Sequence, residues 1–202
     1  MIRANIGTIK AGTALYRVAD PAFGLTFKRV APAPFRGGRF DCTDGTYGYT
    51  YLADSPEVAL AEVFTRDLAP STVIRTMPAS RLTGAVMQTV EATIDLQVQL
   101  LHGKHLSVIG ETVALTKSDP CDYERTRAVA SKLIGSNPTA HGLRYRPRHD
   151  EDGFAFLLYS TDPGRELGEY VSRVADDQPL HEGEGLERAS LLLAHYNVSV
   201  ER

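Results

Sequence analysis

Cysteine is scarce in this sequence, and long apolar runs are missing from it. The 202 residues include two cysteines, Cys42 and Cys121, without the Cys-x-x-Cys spacing that indicates zinc binding or redox chemistry. Two widely separated cysteines are typical of reduced thiols in a cytosolic protein. No apolar run approaches the roughly 20 residues that span a bilayer, and the first residues lack the apolar segment of a signal peptide. We therefore expect a cytoplasmic protein that does not bind a membrane.

Charge of one sign is not concentrated anywhere along the chain. Lysine and arginine number 22 against 25 acidic residues, the net charge is −3, and no polybasic run occurs. General nucleic-acid binding needs a concentrated basic face, so the sequence predicts no direct binding of nucleic acid. His102 and His105 stand three positions apart without a clear third ligand, so we expect no metal site.

Three familiar motifs of nucleotide-binding and hydrolytic enzymes are also missing. No Gly-x-Gly-x-x-Gly run follows a strand, no Walker-type loop is present, and Ser55 lacks a Gly-x-Ser-x-Gly setting. These absences argue against a Rossmann dinucleotide site, a P-loop and the nucleophile elbow of a serine hydrolase.

The first half of the chain predicts two strands, a loop and a helix. Short strands are expected at residues 14–18 and 49–53, and the Pro-, Gly- and Asp-rich residues 31–48 are typical of a loop. Three residues mark a helix start: Ser55 as N-cap, Pro56 at the first helical position and Glu57 in the first turn. This helix is expected to end near Arg66 or Asp67.

The second half continues the mixture of strands and helices. Alternation predicts a strand at 85–96, Asp119-Pro120 begins a helix that Gly135 caps, and strands follow at 142–146 and 154–159. A polar surface excursion is expected at 160–188 and a C-terminal strand at 189–202. Since strands outnumber helices without alternating regularly with them, the pattern favours a single α+β domain over residues 1–202, with its core at about 13–160.

Arg39 and Tyr51 are candidates for ligand contacts. Arg39 lies in the run RGGRF (36–40), where two glycines let the backbone approach a ligand and a guanidinium can grip phosphate. A solvated loop arginine is the other interpretation. Tyr51 shares a strand face with Tyr47 and Tyr49, and such a cluster is either core packing or a platform that stacks on a base.

Glu62 is the most informative residue, because it lies in a mostly apolar stretch of the predicted helix. A carboxylate there is either the partner of a buried cation, such as Arg39 or Arg17, or a functional acid. With Arg39 and Tyr51 it forms a set that can hold a dinucleotide and place a carboxylate near an anomeric carbon. N-glycosidic cleavage passes through an oxocarbenium-like state that such a carboxylate stabilises.

Five short runs of the chain resemble the RES-domain family. The first half carries LYRVAD at 15–20, GGRF at 37–40 and YLADSPEVALAEV at 51–63. The second half carries HGLRYRPRHD at 141–150 and GFAFLLY at 153–159. The resemblance implies a fold like that of the ADP-ribosyltransferases, with a central split antiparallel or mixed β-sheet flanked by helices.

The resemblance also implies a function and a set of residues. It implies a toxin of a type II toxin–antitoxin pair that breaks the nicotinamide–ribose bond of NAD⁺ by hydrolysis or phosphorolysis. NAD⁺ would be the substrate, no further cofactor would be needed, and an Xre-like antitoxin would be the protein partner. Catalytic roles fall on Glu62, Arg39 and Tyr51, and contacts to NAD⁺ on Arg17, Arg39, Tyr51, Arg146 and Arg148.

One position departs from the family pattern. The family's serine falls at Pro147, and proline has neither a hydroxyl nor an amide donor. Either a neighbour such as Arg146, Arg148 or His149 substitutes for the serine, or the activity is altered or lost. Two alternatives therefore stay open beside NAD⁺ degradation: mono-ADP-ribosylation of a protein target, and an impaired relative that binds NAD⁺ or a partner.

Overall fold

A mixed β-sheet of nine strands lies at the centre of the computed structural model, which describes residues 3–29, 37–69 and 71–201. Two further strands in this part of the chain form a small parallel pair. The strands are β1 (Ile6–Ile9), β2 (Ala14–Ala19), β3 (Gly48–Ala53), β4 (Arg75–Pro78), β5 (Val86–Ala92), β6 (Leu96–Leu101), β7 (Gly142–Tyr145), β8 (Ala155–Ser160), β9 (Val171–Arg173), β10 (Gln178–Pro179) and β11 (Val198–Glu201). The expected mixed sheet of an α+β fold is confirmed.

The central sheet is split between two of its middle strands. Its order is β1-β6-β7-β8-β3-β2-β5-β10, with β9 also on β5, and all neighbours are antiparallel except β6 and β7. β3 pairs with β8 along its whole length, whereas β2 and β3 pair only through Tyr16 and Ala53. Near the start of β3, the edge that does not pair with β8 pairs with Lys28 instead, and the backbones of Lys28 and Tyr49 exchange two hydrogen bonds. The sheet therefore opens between β2 and β3.

Five helices surround the sheet in the described ranges. They are α1 (Pro56–Phe64), α2 (Lys104–Val108), α3 (Ala114–Lys117), α4 (Tyr123–Ser136) and α5 (Gly183–Ala194). α1 begins as predicted: Ser55 Oγ accepts the Val58 N–H, and Pro56 occupies the first turn. None of these helices has the length and apolarity needed to cross a membrane.

Alternate residues of the strands face two different hydrophobic cores. In β8, Leu157 and Tyr159 belong to the core that also contains Leu60 of α1, while Phe156 and Leu158 belong to the core on the other face. This alternation follows from the two-residue repeat of a strand. It explains why β8 is buried at every position and reads as a continuous apolar run.

The strand predicted at 85–96 is present but shorter: β5 ends at Ala92, and Leu96 is already the first residue of β6. β5 and β6 are joined by a turn at 93–95, which other segments hold in place. The Thr93 N–H donates to the Tyr170 carbonyl, and Asp95 accepts a hydrogen bond from the Ala11 N–H. Alternation of apolar residues continues across this turn, so periodicity alone does not reveal it.

Two helix ends also differ from the prediction. α1 ends at Phe64, before the expected end near residue 66, and Thr65 caps it, with its N–H and hydroxyl both donating to the Ala61 carbonyl. Gly135 was predicted to cap the second helix but lies inside α4. This helix ends at Ser136, and the N–H of Asn137 donates to the carbonyls of Leu133 and Ile134. The strands predicted at 14–18, 49–53, 142–146 and 154–159 are confirmed within one residue. Of the predicted loop 31–48, residues 31–36 lie outside the described residues.

The C-terminal quarter is more structured than expected. The predicted surface excursion at 160–188 contains β9 and β10, which pair with β5, and it buries Leu167, Val171 and Leu180. The predicted strand at 189–202 is wrong in its first part, because α5 extends to Ala194. The buried residues Leu186, Ala189 and Leu193 of α5 recur at helical spacing. Only β11 is a strand, and it pairs with β4 instead of the central sheet.

Candidate active site

A cavity of about 720 Å³ lies where the sheet opens between β2 and β3. β2 contributes Arg17 and Val18, and β3 contributes Thr50 and Tyr51. A cavity of this size is ample for a nucleotide-sized ligand. Val18 packs against the first core and Phe27, another lining residue, belongs to the second, so the cavity receives residues from both faces of the sheet.

The charges that line the cavity are predominantly positive. Among the described lining residues five are basic and two are acidic; the basic ones are Arg17, Lys28, Arg29, Arg39 and Arg66, and the acidic ones are Asp20 and Glu62. Such a lining favours an anionic ligand. Lys28 and Arg29 were not selected from the sequence, because only the opening of the sheet brings residues 20–29 to the cavity wall.

Residues 37–41, called the 37–41 loop below, are fixed by hydrogen bonds at most of their backbone groups. The Gly38 carbonyl accepts from Arg127 Nε at 3.1 Å, and the Arg39 carbonyl accepts from the Thr126 hydroxyl at 2.6 Å. The Phe40 carbonyl accepts from the Tyr47 hydroxyl at 2.9 Å. Two of these donors come from α4, so the loop is held between the sheet and that helix.

Arg39 is the central residue of this loop and is buried, with 3% of its surface exposed. Its guanidinium carbon lies 5.9 Å from the ring centre of Tyr123 and 5.7 Å from that of Tyr145. Burial lowers the pKa of Arg39, but Glu62 and the neighbouring tyrosines together raise it by more, so the net pKa shift is upward. Its Nε has no hydrogen-bond partner among the described residues. The arginine is thus a permanently charged group with donor capacity at the cavity wall.

Glu62 receives a partner at each carboxylate oxygen. Oε2 accepts the Tyr145 hydroxyl proton at 2.8 Å and lies 3.5 Å from Arg39 Nη1, and Oε1 accepts the Arg148 N–H at 3.3 Å. Burial and the neighbouring carboxylate raise the pKa of Tyr145 well above its usual value, so this tyrosine stays a donor. The side chain of Glu62 is 17% exposed. Glu62 therefore lines the cavity, and its hydrogen bonds to Tyr145 and to the Arg148 N–H orient its carboxylate.

Tyr51 presents its ring to the cavity and directs its hydroxyl away into the 37–41 loop. The hydroxyl donates to Asp41 Oδ1 at 2.8 Å and accepts the Phe40 N–H at 3.0 Å. Burial, followed by Asp41, raises the pKa of Tyr51 well above its usual value. The ring of Tyr51 contacts that of Tyr49 edge to face, as the shared strand face predicts.

Arg17 lies on the opposite wall of the cavity and is 7% exposed. Its Nη1 donates to the Thr50 hydroxyl at 3.2 Å, across the opening of the sheet. Burial and Arg173 lower the pKa of Arg17, and Asp177 opposes them. Arg17 forms no direct ion pair with a carboxylate among the described residues, so its charge is available to an anion.

The remaining two predicted arginines are placed differently. Arg146 does not line the cavity: its Nη1 donates to the carbonyls of Asp152 and Gly153, and its guanidinium lies 3.7 Å from the ring centre of Phe154. The side chain of Arg148 also points elsewhere, to Asp119 and the Arg66 carbonyl. Only the backbone N–H of Arg148 reaches the site, through Glu62.

Pro147 is buried next to these arginines, and its carbonyl accepts a hydrogen bond from Lys117. Lys117 also forms an ion pair with Glu151, so it ties down the turn that follows β7. This turn delivers the Arg148 N–H to Glu62. Glu62 is therefore oriented without a side-chain hydroxyl at position 147.

Sequence reasoning missed two residues that shape the site. Tyr145 shares a strand face with Leu143, which is typical of core packing, and nothing in its local pattern points to Glu62. Asp41 follows Arg39 by two positions in a loop where aspartates are common turn residues. Its burial, with 2% of its surface exposed, depends on contacts that the sequence does not display.

Comparison with known families gives a match over most of the chain. A family model described as "RES domain" matches residues 14–181. These residues include β2, the 37–41 loop, β3, α1 and the turn after β7, and so every residue of the site described above. No curated protein matches the chain at a significant level.

Proposed function

The chain belongs to the RES-domain family, and from this premise we propose that it is an enzyme that consumes NAD⁺ by breaking the bond between nicotinamide and ribose. The observation that carries the proposal is the pairing of Glu62 and Arg39 at the wall of a cation-lined cavity. A carboxylate and a cluster of cations in one cavity suit a substrate that develops positive charge at one atom and carries phosphates nearby.

The proposed reaction breaks the C1′–N bond of NAD⁺ heterolytically. The electron pair leaves with the ring nitrogen, so neutral nicotinamide departs and the ribose becomes an oxocarbenium-like cation. Glu62 stabilises that cation electrostatically, because its carboxylate is preorganised by Tyr145 and the Arg148 N–H. Water or phosphate then adds to C1′, and the acceptor's proton is released.

The other cavity residues take binding roles in this proposal. Arg39 and Arg17 hold the pyrophosphate from two walls, since a buried guanidinium offers several donors to phosphate oxygens. The ring of Tyr51 stacks on the nicotinamide end. NAD⁺ is the substrate, and the proposal requires no other cofactor.

A biological setting is proposed on the family relation alone. The enzyme would act as a toxin whose activity an Xre-like antitoxin neutralises, and its fold would be of the ADP-ribosyltransferase type. Pro147 favours a second candidate, a relative that binds NAD⁺ with impaired turnover, because the family's serine is absent here. Against that candidate, Glu62 keeps a donor at both oxygens.

The test is the concentration of NAD⁺ over time with purified protein, in buffers with and without phosphate, with products identified by mass. Free nicotinamide together with ADP-ribose supports hydrolysis, and nicotinamide with a phosphorylated ADP-ribose supports phosphorolysis. Nicotinamide release with ADP-ribose left on a protein supports transfer. Retained NAD⁺ in both buffers, with NAD⁺ binding detected by calorimetry, would overturn the enzyme in favour of the impaired relative.

A further inference from the structure

Asp41 lies behind the cavity wall and touches two parts of the site at once. Its Oδ2 accepts the Gly38 N–H at 2.9 Å, and its Oδ1 accepts the Tyr51 hydroxyl proton at 2.8 Å. It is 2% exposed and has no ion-pair partner among the described residues. A buried carboxylate without a cation is costly unless hydrogen bonds satisfy it, so these two contacts account for its presence.

The direction of the hydrogen bond to Tyr51 follows from its other contact. The Tyr51 oxygen accepts the Phe40 N–H at 3.0 Å, so the hydroxyl proton is free to point at Asp41 Oδ1. Both oxygens of Asp41 are then acceptors. The Tyr51 hydroxyl is occupied on both sides and has no proton to offer to the cavity.

The same contacts determine where Arg39 lies. A side chain at position 38 would lie 2.4 Å from the Tyr51 hydroxyl and 2.8 Å from Asp41 Oδ1, so the loop backbone packs directly against both groups. Arg39 follows Gly38 at once. Fixing Gly38 to Asp41 and Phe40 to Tyr51 thus clamps the backbone on either side of Arg39.

We infer that Asp41 is the positioning residue of the site: it locks the 37–41 loop, and with it Arg39, and it turns Tyr51 so that the ring and not the hydroxyl serves the substrate. The inference rests on the proposed function for its kinetic consequence. A preorganised loop avoids the ordering cost of binding, so the loss of Asp41 raises KM for NAD⁺ more than it lowers kcat.

Asp41→Ala and Asp41→Asn test this inference together. In Asp41→Ala both acceptors are lost, and we expect KM for NAD⁺ to rise about tenfold, with kcat changed less. In Asp41→Asn the amide oxygen still accepts the Gly38 N–H while its NH₂ group faces Tyr51, so about a threefold rise is expected. Equal KM values in wild type and Asp41→Ala would overturn the inference.

Amide hydrogen exchange provides a readout that does not depend on activity. Asp41→Ala should speed exchange at Gly38 and Phe40 while the amides of β8 keep their protection. Unchanged exchange in the 37–41 loop would show that Asp41 does not lock it. Faster exchange throughout the domain, with an unchanged KM, would show that Asp41 serves stability alone. If wild type leaves NAD⁺ intact, the proposed function fails, and exchange at the two amides still decides whether Asp41 locks the loop.

A double-mutant cycle examines the link to Tyr51. If Asp41 acts through the Tyr51 hydroxyl, the combined effect of Asp41→Asn and Tyr51→Phe on KM will be smaller than the product of the two, because both variants remove the Tyr51–Asp41 hydrogen bond. Tyr51→Phe also removes the acceptor of the Phe40 N–H, so its single effect should be the larger one. Fully multiplicative effects would mean that the two residues act separately, which contradicts the inference.

Discussion

Arg39 Nη1 and Glu62 Oε2 lie 3.5 Å apart, one in the middle of the 37–41 loop and the other on the helix that follows β3. Arg39 is buried near the rings of Tyr123 and Tyr145, Glu62 is partly exposed, and both line the cavity. Arg39 keeps a buried Nε without a hydrogen-bond partner among the described residues. The proximity of Arg39 and Glu62 joins the phosphate-binding and cation-stabilising parts of the proposed mechanism.

Glu62→Gln should remove NAD⁺ turnover while the protein stays folded. The amide keeps the size of the side chain but loses the negative charge, so a loss of roughly 100-fold or more in kcat is expected. Glu57→Gln, on the same helix and paired with exposed His195, is the matched control. Unchanged NAD⁺ consumption in Glu62→Gln would sink the assignment of this residue.

Arg17→Met should raise KM for NAD⁺ by about tenfold or more, because charge-assisted hydrogen bonds to phosphate contribute roughly 1.5–3 kcal/mol. Arg146→Met is the comparison, since it removes the same charge away from the cavity and should leave KM within about twofold, the scale of a screened remote charge. Steady-state kinetics in one buffer of fixed ionic strength measures both. A larger effect from Arg146→Met than from Arg17→Met would contradict the placement of the substrate.

Tyr145→Phe should lower kcat by about tenfold, because it removes the donor that holds Glu62 Oε2, and 1.36 kcal/mol corresponds to tenfold. Tyr159→Phe is a control on the neighbouring strand: its hydroxyl is equally buried and donates to the Asn137 carbonyl. Thermal unfolding should place both variants at similar stability. If the two variants lose turnover equally, the effect of Tyr145 is one of folding.

Pro147→Ser should change NAD⁺ turnover by less than about fivefold, the effect of one hydrogen bond worth ~1 kcal/mol. The reason is that Glu62 already has donors from Tyr145 and Arg148. Product analysis by mass, with phosphate present and absent, measures the change. A gain well beyond fivefold would show that the missing hydroxyl limits this protein and would favour the impaired relative.

The stability of the domain should fall as pH drops from about 6.5 towards 4, in part because of His102. Burial, followed by Arg144, lowers the pKa of His102 to about 4. An unfolded histidine titrates near 6.5, so in this window the unfolded state takes up the proton and the folded state does not. His102→Gln should show a shallower decline in the midpoint of urea unfolding between about pH 7 and about pH 5. Identical declines in the two proteins would rule out this contribution.

Local patterns in the sequence determined the elements near the site. Ser55 and Pro56 begin α1 because an N-cap oxygen and a fixed φ act within one turn of chain. The aromatic residues of β3 and the apolar run of β8 likewise predicted the ends of these two strands to within one residue. The three residues Arg39, Tyr51 and Glu62 were also visible as chemical types in a short span, and the structure brings all three to one cavity.

Tertiary contacts decided what lies beyond the reach of such patterns. β9 and β10 are short and polar in sequence, and pairing with β5 is what makes them strands. Tyr145 is the last residue of β7 and Arg146 follows it, yet Tyr145 contacts Glu62 while Arg146 contacts Phe154. The role of Tyr145 depends on a hydrogen bond to Glu62 in a distant part of the chain, and that of Asp41 on one to Tyr51 in the next strand, and a residue's immediate neighbours encode neither.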